Sequence, residues 1–460
     1  MLIFLLAQSG RATSSAAFSI GEEREVGEKL LYAVRSSFPL LGDPDMHQYI
    51  NRLGQEVLEV AGIQFFDYRF YIVESNQFNA FAAPSGFIFF YSQLIESMNS
   101  EDELVSVIAH EIGHVVKRHL ASRMQKGTAV TIASLGLALA AIALGGGGAA
   151  TQALMTGSLA AGQSAQLYFS RQDEAEADHL AYKWLNDLDR DPQGQKRMLQ
   201  TMRRITRYRM GQVPQYLLTH PDPEARLDYV ESLISADGLK DQGLSEQKEF
   251  GFLRFKYRIL SLTSDNGSAR AYLAGKISDS KASAFEINMA RYGMAQIDRR
   301  GNNYAQALSG IDKVIEAFPE QNILQVDKGI ILAEMGKNEE ARTLLETAAK
   351  ANPSDMYAEY NLAKVLMKSG ERDRAKQLFL DVSYRMPEFS EVYFEIGKLS
   401  AEQGHNIESR FYLGKFNIYE GKLKLAEANF KQVAESKDTD TKMKEESEAM
   451  LELIERLKKG

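Results

Sequence analysis

The 460-residue sequence predicts a mostly α-helical protein, in which an N-terminal domain with a small β-sheet is followed by an α-solenoid. The solenoid is predicted by a 34-residue period in the last third of the chain. The sheet is predicted by the apolar run Phe87–Tyr91, which follows Gly86 and consists of β-type residues. Apolar residues with helical spacing, as in residues 46–60, account for much of the remaining chain.

Three kinds of residue carry the 34-residue period, at Pro319, Pro353 and Pro387, at Ala307, Ala341 and Ala375, and at Gly336, Gly370 and Gly404. Glycine at a tight turn, alanine where two helices cross and proline where a helix ends are typical of the tetratricopeptide repeat. Solenoids of this kind bind peptides or partner proteins and carry no chemistry of their own. We therefore predict a repeat domain at 286–435, preceded by linker helices at 236–285 and followed by a charged helix at 436–460.

Composition excludes several classes of function. The net charge of −8 argues against nucleic acid as a partner. The chain contains no cysteine, which excludes a thiolate metal site and a cysteine nucleophile. An apolar content of 44% and a charged content of 25% are ordinary for a globular protein.

The segment His110-Glu111-Ile112-Gly113-His114 is the strongest indication of chemistry. It lies in a run that is apolar almost all round and begins at Ser100 with the spacing of a capping box, so we predict a buried helix. Residues four apart share a helix face, so His110 and His114 can bind one zinc ion together. Glu111 can then act as the general base toward water at the metal.

Two carboxylates in a second helical stretch complete such a site. Glu174 and Asp178 are four residues apart and share a face. A two-histidine site needs one carboxylate on the metal and a second one that orients a ligand imidazole. We predict Glu174 as the third ligand and Asp178 as the partner of a ligand histidine, with Glu176 as the next candidate ligand. The alternative is a solvated acidic helix face.

These motifs resemble the zinc endopeptidases of the HtpX and CAAX prenyl protease type, which are gluzincins with a glutamate as third ligand. The resemblance spans about residues 20–233, including Asn79-Ala80-Phe81-Ala82 and Thr219-His220-Pro221 with Arg226. It implies a zinc metalloprotease domain at 19–235 with one Zn²⁺ per chain. It also implies a catalytic role for His220, either as a fourth ligand of the resting site or as a group that stabilises the transition state. The alternative is a surface histidine in a loop that contains prolines. We expect His47, His119, His179 and His405 to be structural or on the surface.

The strand at Phe87, Ile88 and Phe89 is predicted to hold the substrate. In the related proteases a strand of this kind borders the active site, and an extended peptide could pair with its backbone by β-augmentation. A plain core strand is the alternative.

Two apolar stretches are informative about where in the cell the protein is located. Residues 1–18 combine a short apolar run with small residues, which predicts a leader or the remnant of a signal peptide. Residues 127–170 contain no charged side chain over 44 positions, but the apolar part at 129–144 is too short for a spanning helix. We predict a helical hairpin there that walls the active site, with peripheral membrane contact through 129–165.

The resemblance, combined with the repeats, implies a periplasmic protease of a Gram-negative cell envelope. Its expected substrates are misfolded or assembling envelope proteins, in quality control of outer-membrane protein assembly, with a protein partner on the repeats. One competing interpretation is a chaperone or scaffold with a closed or structural zinc site. Another is a membrane-embedded protease, based on residues 129–144.

Overall fold

The computed structural model describes residues 19–126, 169–208, 215–238 and 246–458. The predicted leader at 1–18 and the predicted hairpin and membrane contact at 129–165 lie outside these residues.

The described N-terminal helices are α1 Ile20–Ser37, α2 Pro44–Ala61, α3 Ser92–Ser97, α4 Glu101–Val116, α5 His119–Lys126, α6 Arg171–Asp187, α7 Gln193–Tyr208, α8 Gln215–Thr219 and α9 Pro223–Ala236. The C-terminal helices are α10 Glu246–Thr263, α11 Asn266–Ser278, α12 Ala284–Arg300, α13 Tyr304–Ala317, α14 Ile323–Glu334, α15 Asn338–Ala351, α16 Met356–Lys368, α17 Arg372–Arg385, α18 Ser390–Glu402, α19 Asn406–Tyr419, α20 Leu423–Glu435 and α21 Thr441–Lys458. This mostly helical architecture confirms the predicted fold class.

Three strands form one sheet in the described part of the chain, namely β1 Arg69–Val73, β2 Ala80–Ala82 and β3 Phe87–Tyr91, in the order β1-β3-β2. β3 pairs in parallel with β1 and antiparallel with β2, and all its residues are buried. The prediction that Phe87, Ile88 and Phe89 receive a substrate strand is therefore wrong, because neighbouring strands already use both edges of β3. The outer strand beside α4 is β2.

α4 crosses α6 at two small residues. A Cβ atom placed on Gly113 would lie 3.3 Å from the Cα atom of Ala177, so the two helices approach closely there. Ser100 caps α4, as predicted, by accepting a hydrogen bond from the backbone amide of Glu103. The close crossing brings the polar residues of both helices to one point.

α1 packs across the turn that precedes β3. A Cβ atom on Gly27 would lie 2.7 Å from Cβ of Ser85, and Ser85 has a positive φ of 74°. The Ser85 hydroxyl donates to the Glu23 carbonyl oxygen at 2.9 Å. The Glu23 carboxylate accepts a hydrogen bond from Nε of Arg118, just beyond the end of α4, at 2.7 Å. α1 is thus bonded to two turns of the N-terminal domain.

The helices from α12 onward form antiparallel pairs with the predicted period. Gly336, Gly370 and Gly404 have φ values of 81°, 86° and 80° and make the turns between the two helices of a pair. A left-handed conformation there is available to glycine without strain, which explains the recurrence of this residue. The predicted charged C-terminal helix is α21, and it packs through Ile454.

α10 belongs to both halves of the molecule, within the segment 236–285 that the sequence predicts as linker helices. It contributes Phe252, Phe255 and Ile259 to the core of the N-terminal domain and Phe250, Tyr257 and Leu260 to the core of the first repeats. One helix buried on two faces in this way joins the two cores.

Two buried arginines of α10 form ion pairs with residues of both halves of the molecule. Arg254 donates to Asp327 of α14 at 3.0 and 3.2 Å and to Asp45 of α2 at 2.7 Å. Arg258 donates to Asp43 at 2.8 Å and to the Tyr357 hydroxyl of α16 at 2.9 Å. Repeats and N-terminal domain therefore share a network of paired charges.

A second contact joins the later repeats to the N-terminal domain. Glu388, before α18, accepts hydrogen bonds from Arg35 at 2.7 Å and from Arg69 and Tyr71 of β1. The Tyr32 hydroxyl donates to the carbonyl oxygen of Gly421, between α19 and α20. The solenoid is held at two places along its length.

Candidate metal centre

α4 places three predicted site residues in the protein interior. His110, Glu111 and His114 are 2%, 0% and 3% exposed, so none is a surface group. Nε2 of His110 lies 3.0 Å from Nε2 of His114, as the helical spacing predicts. The two imidazoles converge on one point.

α6 supplies the carboxylate that the sequence predicts for this point. Oε1 of Glu174 lies 3.4 Å from Nε2 of His114, and Oε2 lies 3.6 Å from Nε2 of His110. Burial alone would raise the pKa of Glu174, but Arg226 and His220 outweigh it and hold the pKa well below its usual range. The other candidate, Glu176, faces His119 instead.

His220 enters the same group from the loop that follows α8. Its Nδ1 lies 3.0 Å from Oε1 of Glu174 and 3.3 Å from Nε2 of His110, and the side chain is fully buried. Ligand atoms of His110, His114, Glu174 and His220 all lie within 4.8 Å of one another. Three ring nitrogens pressed together with one carboxylate oxygen, away from solvent, fit a bound metal ion.

Glu111 lies beside this group without belonging to it. Its Oε1 accepts a hydrogen bond from the Tyr216 hydroxyl at 3.4 Å and lies 3.5 Å from Nε2 of His220. Its Oε2 is buried and has no hydrogen-bond partner among the described residues. The Tyr216 ring also stacks on His220, with centroids 4.3 Å apart.

Asp178, which the sequence predicts as the partner of a ligand histidine, lies next to His110. Its Oδ1 lies 3.0 Å from Nδ1 of His110, so it fixes the orientation of that imidazole. Arg226 donates to both Asp178 oxygens at 2.8 Å, and its Nη1 lies 2.9 Å from Oε2 of Glu174. Burial would raise the pKa of Asp178, but Arg226 lowers it to about 2. The guanidinium of Arg226 thus compensates the negative charges of both the Asp178 and the Glu174 carboxylates.

His119 is a site residue that the sequence analysis missed. Spacing on an uninterrupted helix places it away from the ligand face, but α4 ends at Val116 and Arg118 has a φ of 50°. The chain turns there, and Nδ1 of His119 lies 2.9 Å from Nδ1 of His114. Phe169, also missed, stacks on His114 with centroids 3.8 Å apart.

The remaining histidines lie elsewhere, as expected. His179 contacts the Tyr229 hydroxyl, and the side chain of His405 is 61% exposed. His47 is outside the metal-ligating group found among the described residues.

Comparison with known proteins agrees with this arrangement. The chain matches peptidase family M48 over residues 44–234 and tetratricopeptide-repeat families over residues 292–355 and 332–393. It is 30% identical over 376 residues to the "Beta-barrel assembly-enhancing protease" of Escherichia coli (strain K12), covering 80% of this chain and 74% of that protein. The protein of the same name from Yersinia pestis is 29% identical over 399 residues, covering 85% of this chain and 80% of that protein.

The fold and the site define a metalloprotease joined to tetratricopeptide repeats, which confirms the predicted class of enzyme. The chain belongs to peptidase family M48, and the relatives that match both of its parts are the β-barrel assembly-enhancing proteases. The repeats indicate interaction with other proteins. Within the described residues, no helix is both long and apolar enough to cross a membrane.

Proposed function

We propose that the protein is a zinc-dependent endopeptidase whose metal is held by His110, His114 and Glu174. The observation that carries the proposal is the buried convergence of their ligand atoms with that of His220, all within 4.8 Å. Nitrogen and oxygen donors in this number suit tetrahedral Zn²⁺, one per chain. When bound, Zn²⁺ supplies the Lewis acidity that makes water nucleophilic near neutral pH and polarises a peptide carbonyl.

In this proposal Glu111 transfers the proton of the attacking water to the leaving amine. Tyr216 holds Oε1 of Glu111, which leaves the unpartnered Oε2 to take a proton from the attacking water. Glu111 then delivers that proton to the leaving amine, as a general base that becomes a general acid. Asp178 contributes by orienting His110 rather than by touching the substrate.

His220 closes the resting site in this proposal. Its Nδ1 lies 3.0 Å from Oε1 of Glu174 and 3.3 Å from Nε2 of His110, and a closed four-ligand zinc site is inert. Pro221 and Pro223 stiffen the loop that carries it, which lowers the entropy cost of holding the ring there. The other role, stabilisation of the transition state, requires His220 to stay off the metal and donate to the oxyanion.

The names of the relatives refer to β-barrel assembly, which supports a role in the assembly of envelope proteins. We infer that the protein acts in the periplasm of a Gram-negative cell envelope, with peripheral membrane association, on misfolded or assembling envelope proteins. The role is quality control of outer-membrane protein assembly, and the repeats recruit clients or partners. An extended client would pair with the outer strand β2 rather than with β3.

A repeat-based chaperone or scaffold is the second candidate function. The observation that favours it is the position of His220, because a site that stays closed binds metal without hydrolysing anything. The two candidates differ in whether the intact chain cleaves a protein substrate.

Zinc content and chelator-sensitive proteolysis of the purified chain test the proposal. We expect one zinc per chain in the wild type and in Glu111→Gln, with proteolysis lost only in the latter. Glu174→Ala should lose most of the zinc, because it removes the one anionic ligand of the group. Glu231→Gln, a half-exposed glutamate on α9, is the matched control. Equal proteolysis by wild type and Glu111→Gln would refute the enzymatic proposal, and zinc retained in Glu174→Ala would refute the ligand set.

A further inference from the structure

We infer that His119 is a positioning residue of the metal site, whose imidazole holds His114 in the orientation and tautomer that metal binding requires. The inference rests on the proposed zinc site and extends it to a residue outside the ligand set.

The two ring nitrogens of His114 face different partners. Nε2 points into the ligand group, 3.0 Å from Nε2 of His110 and 3.4 Å from Oε1 of Glu174. Nδ1 points away from that group and lies 2.9 Å from Nδ1 of His119. A neutral imidazole that offers the Nε2 lone pair to a metal carries its proton on Nδ1. His114 therefore donates this N–H, and His119 accepts it.

The tautomer of His119 follows from that bond. With Nδ1 as the acceptor, its own proton is on Nε2. Nε2 lies 3.5 Å from Oε2 of Glu176 and 3.9 Å from Oδ1 of Asp173, so it faces two carboxylates of α6. The side chain is only 6% exposed, and water has little access to the bond between the two rings. Without His119, the buried N–H of His114 would lose its acceptor.

The two ligand histidines are thus supported in the same way by different groups. Asp178 accepts from Nδ1 of His110, and His119 accepts from Nδ1 of His114. Partners of this kind fix the ring orientation of a metal ligand, and their loss weakens metal binding. The left-handed turn at Arg118, which Glu23 of α1 holds by a hydrogen bond, brings His119 to this position.

Zinc affinity of the full-length chain, measured by competition with a chromogenic chelator, tests the inference. We expect His119→Leu, which has no acceptor, to bind zinc about 10- to 100-fold more weakly than the wild type, as expected also for Asp178→Ala. His119→Asn should bind close to the wild type, because its amide oxygen stands where Nδ1 stood. The absorption spectrum of the Co²⁺-loaded protein should change in His119→Leu and not in His119→Asn. His179→Ala removes a histidine that contacts Tyr229, and it serves as the matched control.

The outcomes separate this inference from the proposed function. If the wild type binds zinc and Asp178→Ala weakens it, but His119→Leu binds like His179→Ala, only the role of His119 is overturned. If the wild type binds no zinc, the proposed site and the role of His119 both fall. Should His119→Leu fail to fold by circular dichroism, His119→Asn decides: wild-type affinity supports the acceptor role, and loss of zinc overturns it.

Discussion

At the scale of single residues, replacing His220 distinguishes its two proposed roles. Its Nδ1 lies 3.0 Å from Oε1 of Glu174, within the ligand group. We expect His220→Ala to raise basal proteolysis, because removal of a fourth ligand opens a coordination position. The measurement is self-cleavage of the purified chain over time. The double variant His220→Ala/Glu111→Gln should show none.

His179→Ala provides the control for this experiment, since it also replaces a histidine by alanine but outside the ligand group. A transition-state role predicts the opposite sign, namely a fall in kcat of about 10²- to 10³-fold with zinc retained. A rate equal to the wild type would show that His220 has neither role.

The residues that sequence alone could predict are those linked by a local helical period. His110 and His114, and likewise Glu174 and Asp178, share a face within one helix, and helix geometry fixes that relation before the chain folds. His119 escaped because the period stops where Arg118 takes a positive φ. Tyr216 and Phe169 escaped because their contacts with Glu111 and His114 are made across the fold.

At the scale of elements, the packing of α1 against the turn before β3 requires a residue without a side chain at Gly27. We expect Gly27→Ala to lower the free energy of unfolding by about 1–3 kcal/mol, the usual cost of overpacking. A Cβ atom at Gly27 would lie 2.7 Å from Cβ of Ser85, so either α1 or the turn must move. Urea denaturation followed by circular dichroism measures the change.

Gly275→Ala is the matched control, because Gly275 lies within α11 and a Cβ atom there would meet no other atom within 4 Å. That substitution should stabilise the protein by up to about 1 kcal/mol, the difference in helix propensity between the two residues. An unchanged urea midpoint in Gly27→Ala would mean that α1 adjusts without cost.

For helices and strands, the sequence predicted the type of an element better than it predicted which other elements lie next to it. The run Phe87–Tyr91 is a strand, as its composition indicates, but its place in the sheet depends on β1 and β2. A run that is apolar at every position is typical of a strand buried on both faces, which agrees with the central place of β3. For α10 the sequence showed a helix but not that its two faces enter different cores.

At the scale of the whole molecule, the two halves are expected to fold as one unit. We expect a chain ending at residue 238 to lose cooperative unfolding, while one ending at residue 263 regains part of it. The shorter chain lacks Phe252, Phe255 and Ile259, each worth about 1.5–3 kcal/mol when buried. Thermal unfolding followed by circular dichroism compares the two. A cooperative transition of the shorter chain at the full-length midpoint would contradict the shared core.

The contact at Glu388 makes the stability of the molecule depend on pH. Burial would raise the pKa of Glu388, but Arg35 and Arg69 outweigh it and lower the pKa. A carboxylate with a lowered pKa stabilises the fold above its unfolded pKa, about 4.3, and loses that contribution as the pH falls through its folded value. We expect Glu388→Gln to cost about 1.5–3 kcal/mol at pH 7, the worth of hydrogen bonds to a charged group.

That cost should shrink below about pH 4, where the wild-type carboxylate also becomes protonated. Urea denaturation of both proteins between pH 3 and pH 7 measures it, with the exposed Glu339→Gln as control. A difference that stays constant with pH would assign the effect to packing rather than to charge.

The two attachments of the solenoid have a mechanical consequence. In a repeat array that is anchored at one end, the terminal units open first, because each of them contacts only one neighbouring repeat. Here α10 fixes one end of the solenoid, while Glu388 contacts β1 and α1 and Gly421 contacts α1. A Cβ atom at Gly421 would lie 2.6 Å from the backbone nitrogen of Ser36, so the two backbone segments pack against each other without intervening space. We therefore expect that adding or deleting one repeat between the two anchors would carry the second contact out of reach of the N-terminal domain.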